Sequence, residues 1–278
     1  MDREGRDFPA LSLLRAHHWY PLLLPPTPRG HTRPMPDVAF DETIAATYDA
    51  DSAEMFDAAL LESTVDFLAP LAGGSAALEF GIGTGRVAIP LSQRGVSVSG
   101  LDISEAMVSH LRQKPGGGAI HVTIGDIATT RVPGSFRLVY LPFNIITNLL
   151  TQAEQVACFE NAAAHLEPGG HMVAEVFVPQ LQRLHPGERY LPFQVTPTHL
   201  GFDEYDVVNQ LDTSHHYFIR EGRAQIFLSH HRYAWPAELD LMARMAGMEL
   251  VERWQDWRRS PFTATSTDHV SVWRKPTS

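Results

Sequence analysis

One stretch limits the possible folds more than any other. From Ala76 to Ile89 the chain reads Ala-Ala-Leu-Glu-Phe-Gly-Ile-Gly-Thr-Gly-Arg-Val-Ala-Ile. A short apolar run, Ala76 to Leu78 with Phe80, enters a turn carrying Gly81, Gly83 and Gly85, and Arg86 to Arg94 then reads as a helix. Glycines at alternate positions let the backbone take positive φ and remove the Cβ atoms that would keep a flat ligand from the main chain. The expectation is a strand, a tight turn and a helix, with a ligand over the turn.

A dinucleotide fingerprint has a similar plan, with an acid about 20 residues beyond its glycine turn. Here the third glycine follows the second by two positions instead of three, and an acid, Glu79, stands in the strand end before the turn. Asp102 closes the next strand, Val96 to Asp102, where two carboxylate oxygens can receive ribose hydroxyls. Asp126 ends a third strand in Ile124-Gly-Asp-Ile127, where a carboxylate can accept from an adenine amino group. Three acids at successive strand ends suit a neutral nucleoside with a cationic tail better than an anionic pyrophosphate.

From Ala76 onward strands and helices alternate, with strands near 76–80, 96–101, 119–124, 136–141 and 171–178. Such alternation predicts a doubly wound α/β sheet, Rossmann-like, with ligand at the carboxyl ends of the strands. Asp41 to Asp49 and Ser52 to Leu71 read as helices before it. Gln152 to Leu166 is an amphipathic helix ending at Pro168-Gly-Gly170. After the fifth strand the alternation stops. Residues 179–235 read as extended stretches around Gln194, Tyr205 to Val208, His215 to Arg220 and Arg223 to Tyr233, an antiparallel insertion capping the site. Pro236 to Ala246 resumes as a helix, with Pro in its first turn and Gly247 at its end. Strands at 249–254 and 269–274 follow.

At the glycine turn, Asp102 and the Gly125-Asp126 pair, the sequence resembles the class I S-adenosylmethionine-dependent methyltransferases, over roughly Phe40 to Arg274. The resemblance implies a seven-stranded sheet, mostly parallel with the last strand antiparallel, and S-adenosylmethionine as cofactor. It places the methionine part of the cofactor at Glu79, Gly81, Gly83 and Gly85, the ribose at Asp102 with Ile103 and Met107 beside it, and the adenine at Asp126 and Ile127. Leu141 ends the fourth strand, where substrate and methyl meet in this family. Tyr48-Asp49 matches a tyrosine-containing helix that lies over the cofactor as a lid. Leu141-Pro-Phe-Asn144 lacks the two prolines of DNA amino-methyltransferases and the cysteine of the cytosine C5 branch. The pattern from Tyr233-Ala-Trp235 through Arg244, with Pro261-Phe-Thr263, is similar to actinobacterial natural-product N-methyltransferases.

Composition narrows the substrate. The net charge is −10, and without a basic run nucleic acid finds no electrostatic footprint. The acceptor is therefore expected to be a small molecule or a peptide. The single cysteine, Cys158, fits a reducing compartment and reads as core packing. Three adjacent histidine pairs (His17/His18, His215/His216, His230/His231) lack metal-ligand spacing, and neighbours on a strand point to opposite faces, so no metal is expected. No stretch reaches the roughly 18 apolar residues of a membrane span, no secretory signal is recognisable, and a cytoplasmic location is expected. Residues 1–37 read as a flexible, proline-rich extension ahead of a methyltransferase domain at 38–278, and Met35 is an alternative start.

A sulfonium is a strong methyl donor, so the protein's task is alignment. A neutral amine needs little base and a hydroxyl needs one. No residue is compelled as base by its position, which favours amine over hydroxyl acceptors. A hairpin turning at Glu221-Gly222 pairs residues whose numbers sum to 443. It places Tyr217, Ile219, Ala224, Ile226 and Leu228 on one face, expected to pack on the domain. His216, Phe218, Gln225, Phe227, His231 and Tyr233 fall on the other, an expected pocket wall on which His231 or Tyr233 positions or deprotonates the acceptor. A nicotinamide oxidoreductase or a catalytically idle nucleoside-binding protein remain alternatives, and the oligomeric state is open.

Overall fold

The computed structural model describes residues 40–220 and 222–277. The extension at 1–37, Met35, the His17/His18 pair and Glu221 lie outside the described residues. Two short helices, α1 (Glu42–Ala45) and α2 (Tyr48–Asp51), and a 3-10 turn at Ala53–Phe56 precede α3 (Ala58–Ala72). The two helices expected at 41–49 and 52–71 are thus broken. The second break falls at Asp57, whose side chain accepts the N–H groups of Ala59 and Leu60 and so starts α3 there. Gly73, in the left-handed conformation at φ 57°, ends it.

The core alternation follows: β1 (Ala76–Phe80), α4 (Ala88–Gln93), β2 (Ser97–Asp102), α5 (Glu105–Gln113), β3 (His121–Ile124), β4 (Phe136–Leu141), α6 (Gln152–His165) and β5 (Leu166–Phe177). Helix α4 starts two residues later than Arg86, because the turn around Gly85 continues through Val87. A capping box between Thr151 and Glu154 fixes the start of α6. The insertion contributes β6 (Tyr190–Val195), β7 (His199–Asp206), β8 (Leu211–Arg220) and β9 (Arg223–Arg232), and α7 (Pro236–Met245), β10 (Glu249–Trp254) and β11 (Asp268–Arg274) complete the chain.

The main sheet has seven strands in the order β10-β11-β5-β4-β1-β2-β3. The pairs from β3 across to β5 are parallel, and β11 is antiparallel to both of its neighbours. The chain therefore forms the expected doubly wound α/β sheet with an antiparallel insertion after strand five. Side chains alternate between two cores. Leu78, Phe80, Val139 and Leu141 pack with Phe159 of α6 and Leu239 and Met242 of α7, while Ala77, Leu138 and Tyr140 pack with Phe67 and Leu68 of α3, Leu91 of α4 and Leu111 of α5. Cys158 is fully buried in the first of these, and burial pushes its thiol pKa up. Strand order reverses between β1 and β4, the switch point where such sheets open a crevice at their carboxyl ends.

The insertion is a separate four-stranded antiparallel sheet in the order β6-β7-β8-β9. Its last hairpin pairs Arg220 with Arg223, Phe218 with Gln225 and His216 with Phe227, the register expected from the turn. The face that meets the domain is the opposite of the one expected. Ile219, Ile226 and Leu228 are exposed at 39%, 63% and 43%, whereas Arg220 donates to Asp51 of α2 at 2.6 Å and His231 lies against Thr147. Polar anchors at the two ends of the sheet, not the apolar residues in its middle, decide which face turns inward.

Candidate active site

The glycine turn lies at the carboxyl end of β1, beside the switch point. Gly81, Gly83 and Gly85 all have positive φ, at 71°, 53° and 80°. The reason for glycine differs along the turn. A Cβ on Gly81 would stand 2.6 Å from Ile145 Cδ1 and one on Gly85 2.9 Å from Leu111 Cδ1. At these two positions the missing side chain admits the protein's own packing, not only a ligand. Gly83 has room at ordinary contact distance, and there the positive φ is what requires glycine.

The turn is tied to β2 through its acid. Asp102 Oδ2 accepts the N–H of Gly83 at 2.7 Å and Oδ1 that of Ser104 at 2.8 Å. Each carboxylate oxygen can accept twice, so Asp102 keeps capacity for two further donors. Burial raises its pKa, against the pull of these N–H groups. Ile103 beside it is 60% exposed, and Met107, on the first turn of α5, is buried. Asp126 Oδ1 accepts the N–H of Ala128 at 2.7 Å, and Gly125 N–H reaches back to Asp102 O at 2.8 Å, so the second and third acids share one hydrogen-bonded frame. Ile127 is buried behind them, and Leu141 is in the core behind the fourth strand end.

Glu79 is the most perturbed acid of the group. It is buried at the inner end of the cleft and accepts the hydroxyl of Tyr140 at 2.8 Å. Burial pushes its pKa up to about 8, despite the opposing Tyr140 bond and the nearby Arg86. The cleft is lined by Tyr48, Glu79, Gly81, Gly83, Arg86, Phe143 and Ile145, among others. Tyr48 is half-buried there, and α2 is fastened over the turn by a hydrogen bond from Thr84 Oγ1 to Asp49 at 2.7 Å and by an ion pair between Lys114 and Asp49.

Of two charged residues that the motif reading passed over, Arg86 lines the same cleft and Glu175 bonds to its Phe143. Arg86 holds Met55 O at 3.2 Å, and its guanidinium lies 5.9 Å from the centre of the Phe143 ring. Glu175, near the end of β5, accepts Phe143 N–H at 2.7 Å and Trp257 Nε1–H at 2.7 Å. The available signal was a lone acid inside the apolar run Val173-Ala-Glu-Val176, the same signal that marks Glu79 in β1.

The insertion meets the segment after β4 at Thr147, two residues along from the cleft-lining Ile145. Thr147 Oγ1 donates to Asn144 O at 2.8 Å, so its 3.3 Å contact with His231 is accepted from Nδ1–H, and Nε2 then accepts from Ser229 Oγ at 3.1 Å. Burial, with His230 and His216 nearby, pulls the His231 pKa down to about 4. Tyr233, 6% exposed, has a hydroxyl with no partner among the described residues. The face thus carries both sequence candidates, at different depths. A larger groove of about 630 Å³, lined by Arg189, Glu204, Tyr205, Asp206 and Thr213, lies at the β7–β8 turn, and none of these borders the glycine turn.

Residues 77–170 match a family model described as "Methyltransferase domain". Over 77% of this chain and 94% of the other, the structure aligns with the CcbJ methyltransferase from Streptomyces caelestis at 39% sequence identity and a TM-score of 0.72. The chain belongs to the class I S-adenosylmethionine-dependent methyltransferases. This methyltransferase is also 27% identical over 241 residues, 84% of its own length and 96% of the other's, to the cypemycin N-terminal methyltransferase of a Streptomyces species. Its fold is shared with S-adenosylmethionine-bound CalS10, an amino pentose methyltransferase from Micromonospora echinaspora, at 20% identity, a TM-score of 0.64 and coverage of 81% and 96%. Among the described residues no helix is long and apolar enough to cross a membrane, and no group of three or more His, Cys, Asp or Glu could hold a metal.

Proposed function

We propose that this methyltransferase moves a methyl group to an amine nitrogen of a small molecule or peptide. The single observation that carries the amine reading is the state of His231. The ring lies against Thr147, two residues along from the cleft-lining Ile145, is neutral by burial with its pKa about 4, and has both nitrogens engaged by Thr147 and Ser229. A hydroxyl acceptor needs a base matched to its operating pH, and a histidine at pKa 4 is a poor one. A neutral amine brings its own lone pair. The name of one relative agrees, an N-terminal methyltransferase.

The chain's residues fit the cofactor. S-adenosylmethionine supplies the methyl group as a sulfonium electrophile when bound. In this reading Glu79 gives the deep carboxyl that faces the cationic methionine part, whose charge favours its ionised form, and Arg86 in the cleft lining meets the carboxylate of that part. Asp102 uses its two spare acceptor positions for the ribose, with Ile103 and Met107 as apolar neighbours. Asp126 and Ile127 take the adenine edge. Tyr48 and α2 exclude water above the turn, and the Phe143–Asn144 loop positions the acceptor from the end of β4.

The test is product analysis with labelled cofactor on paired acceptors, amino sugars and peptide amino termini against their hydroxyl counterparts. Transfer confined to nitrogen is expected. Transfer to oxygen at comparable rate overturns the amine reading.

A further inference from the structure

Beyond His231 the inner face of the insertion carries a group of side chains that the methyl-transfer reading leaves unused. Asp212 is the direct cross-strand partner of His231 on β9 and of Tyr205 on β7. Asp203 pairs with Ser214, two residues along β8 from Asp212 on the same face, within the ~7–8 Å diagonal reach of neighbouring strands. Ser214 Oγ donates to Asp203 at 2.6 Å. The rings of Tyr205 and Tyr233 meet edge to face at 5.8 Å. Among the described residues Asp212 gains no hydrogen bond that would stabilise its charge, and burial, with Asp203 nearby, pushes its pKa up to about 7.

The independent observation is Tyr233. Its side chain is more than nine-tenths buried, its hydroxyl has no partner among the described residues, and the carboxylate whose field acts on it most is Asp212. A buried phenol left without a partner among the described residues, beside a partly buried carboxylate, is costly unless something completes it. A cation with several N–H donors does so: each N–H can bond a carboxylate or phenol oxygen, and the charge offsets the repulsion between the two acids.

We propose that Asp203 and Asp212, with the hydroxyls of Tyr205 and Tyr233, form a subsite for a cationic ammonium group of the acceptor, remote from the nitrogen that takes the methyl. Remoteness follows from the order of the walls. Ile145 borders the cofactor cleft, Thr147 stands two residues further on, His231 lies against Thr147, and Asp212 is one inter-strand spacing beyond His231. The same ammonium could not face the transferable methyl and this pair of acids together. The acceptor class is therefore a molecule with two basic centres. This rests on the amine reading of the adjacent site.

The experiment uses the full chain saturated with S-adenosylhomocysteine, titrated with cadaverine and with aminopentanol, which has the same length but replaces one ammonium by a hydroxyl. Wild type is expected to bind cadaverine at least about tenfold more tightly, a difference of about 1.4 kcal/mol. Asp212→Asn and Asp203→Asn are expected to abolish that preference while leaving S-adenosylhomocysteine affinity and melting temperature unchanged. The milder Tyr233→Phe should reduce it, and stands in should an Asp variant fail to fold. No preference in wild type, or a preference that survives in the folded variants, overturns the subsite. Methyl found on the oxygen of aminopentanol would instead overturn the amine reading, and leaves the binding comparison readable by itself.

Discussion

Glu175 Oε2 accepts the backbone N–H of Phe143 at 2.7 Å, and through that bond the end of β5 sets the loop at the end of β4. Phe143 and Asn144 are consecutive non-glycine residues at positive φ, 51° and 56°. Such conformations each cost about 1–3 kcal/mol and persist only where surrounding bonds over-determine them. The bonds here are Glu175 to Phe143, Glu175 O from Asn144 N–H at 2.9 Å, and Asn144 Oδ1 from Phe177 N–H at 2.7 Å.

Glu175→Gln should therefore lower kcat. A glutamine can satisfy Phe143 N–H or Trp257 Nε1–H with its oxygen but turns an N–H toward the other. The expected loss is about tenfold in kcat, with cofactor affinity changed less. Single-turnover kinetics beside calorimetry with S-adenosylhomocysteine would decide. Unchanged kcat would show that the strained loop does not place the acceptor.

Glu79 makes stability depend on pH. Its folded pKa, about 8, lies above that of an unfolded glutamate, so the folded state holds a proton that the unfolded state has released between about pH 4.5 and pH 8. Stability associated with this group is fully present below that window and declines as pH rises through it. Glu79→Gln, which imitates the protonated acid, should flatten this part of the melting profile in the cofactor-free protein. A slope unaltered by the substitution would assign the dependence to another group.

Asp102→Asn should weaken S-adenosylmethionine by about 1.5–3 kcal/mol, the size of a hydrogen bond to a charged acceptor. Alanine would leave the N–H groups of Gly83 and Ser104 both unpaired, whereas asparagine keeps an oxygen for one and turns an N–H toward the other, so melting temperature is read beside affinity. A calorimetric affinity equal to wild type would remove the ribose role.

What could be read in advance follows from which interactions are local. Glycine spacing and strand-end acids are local, and β1, β4 and β10 fall on the expected residues, as does the hairpin register, which the turn alone fixes. Register decides which residues share a face, not which face turns inward. Tyr217 and Ile226 made one face look like the buried one, while the choice was made by Arg220 meeting Asp51, 169 positions away, and by His231 meeting Thr147. Arg86 and Glu175 were missed for a related reason, since each draws its importance from partners on other elements. The breaks before α3 and α4 come from Asp57 as a cap and from a glycine turn that runs on to Val87.

The contact between His231 and Thr147 separates two roles for the ring. If His231 positions the acceptor wall as a neutral donor, what matters is the Nδ1–H held toward Thr147 Oγ1, whose own proton is committed to Asn144 O. His231→Gln, which keeps an N–H donor, should then retain most turnover, and His231→Phe should lose about tenfold in kcat with cofactor affinity unchanged. The pH profile gives a second, independent readout. With a pKa of about 4 the ring stays neutral from about pH 6 to about pH 8, so the ratio of wild-type to His231→Phe turnover should be flat over that range. A ratio that rises with pH through the ordinary histidine range would mean that His231 accepts a proton from the acceptor during transfer, and turnover unaffected in both variants would take the ring out of the site.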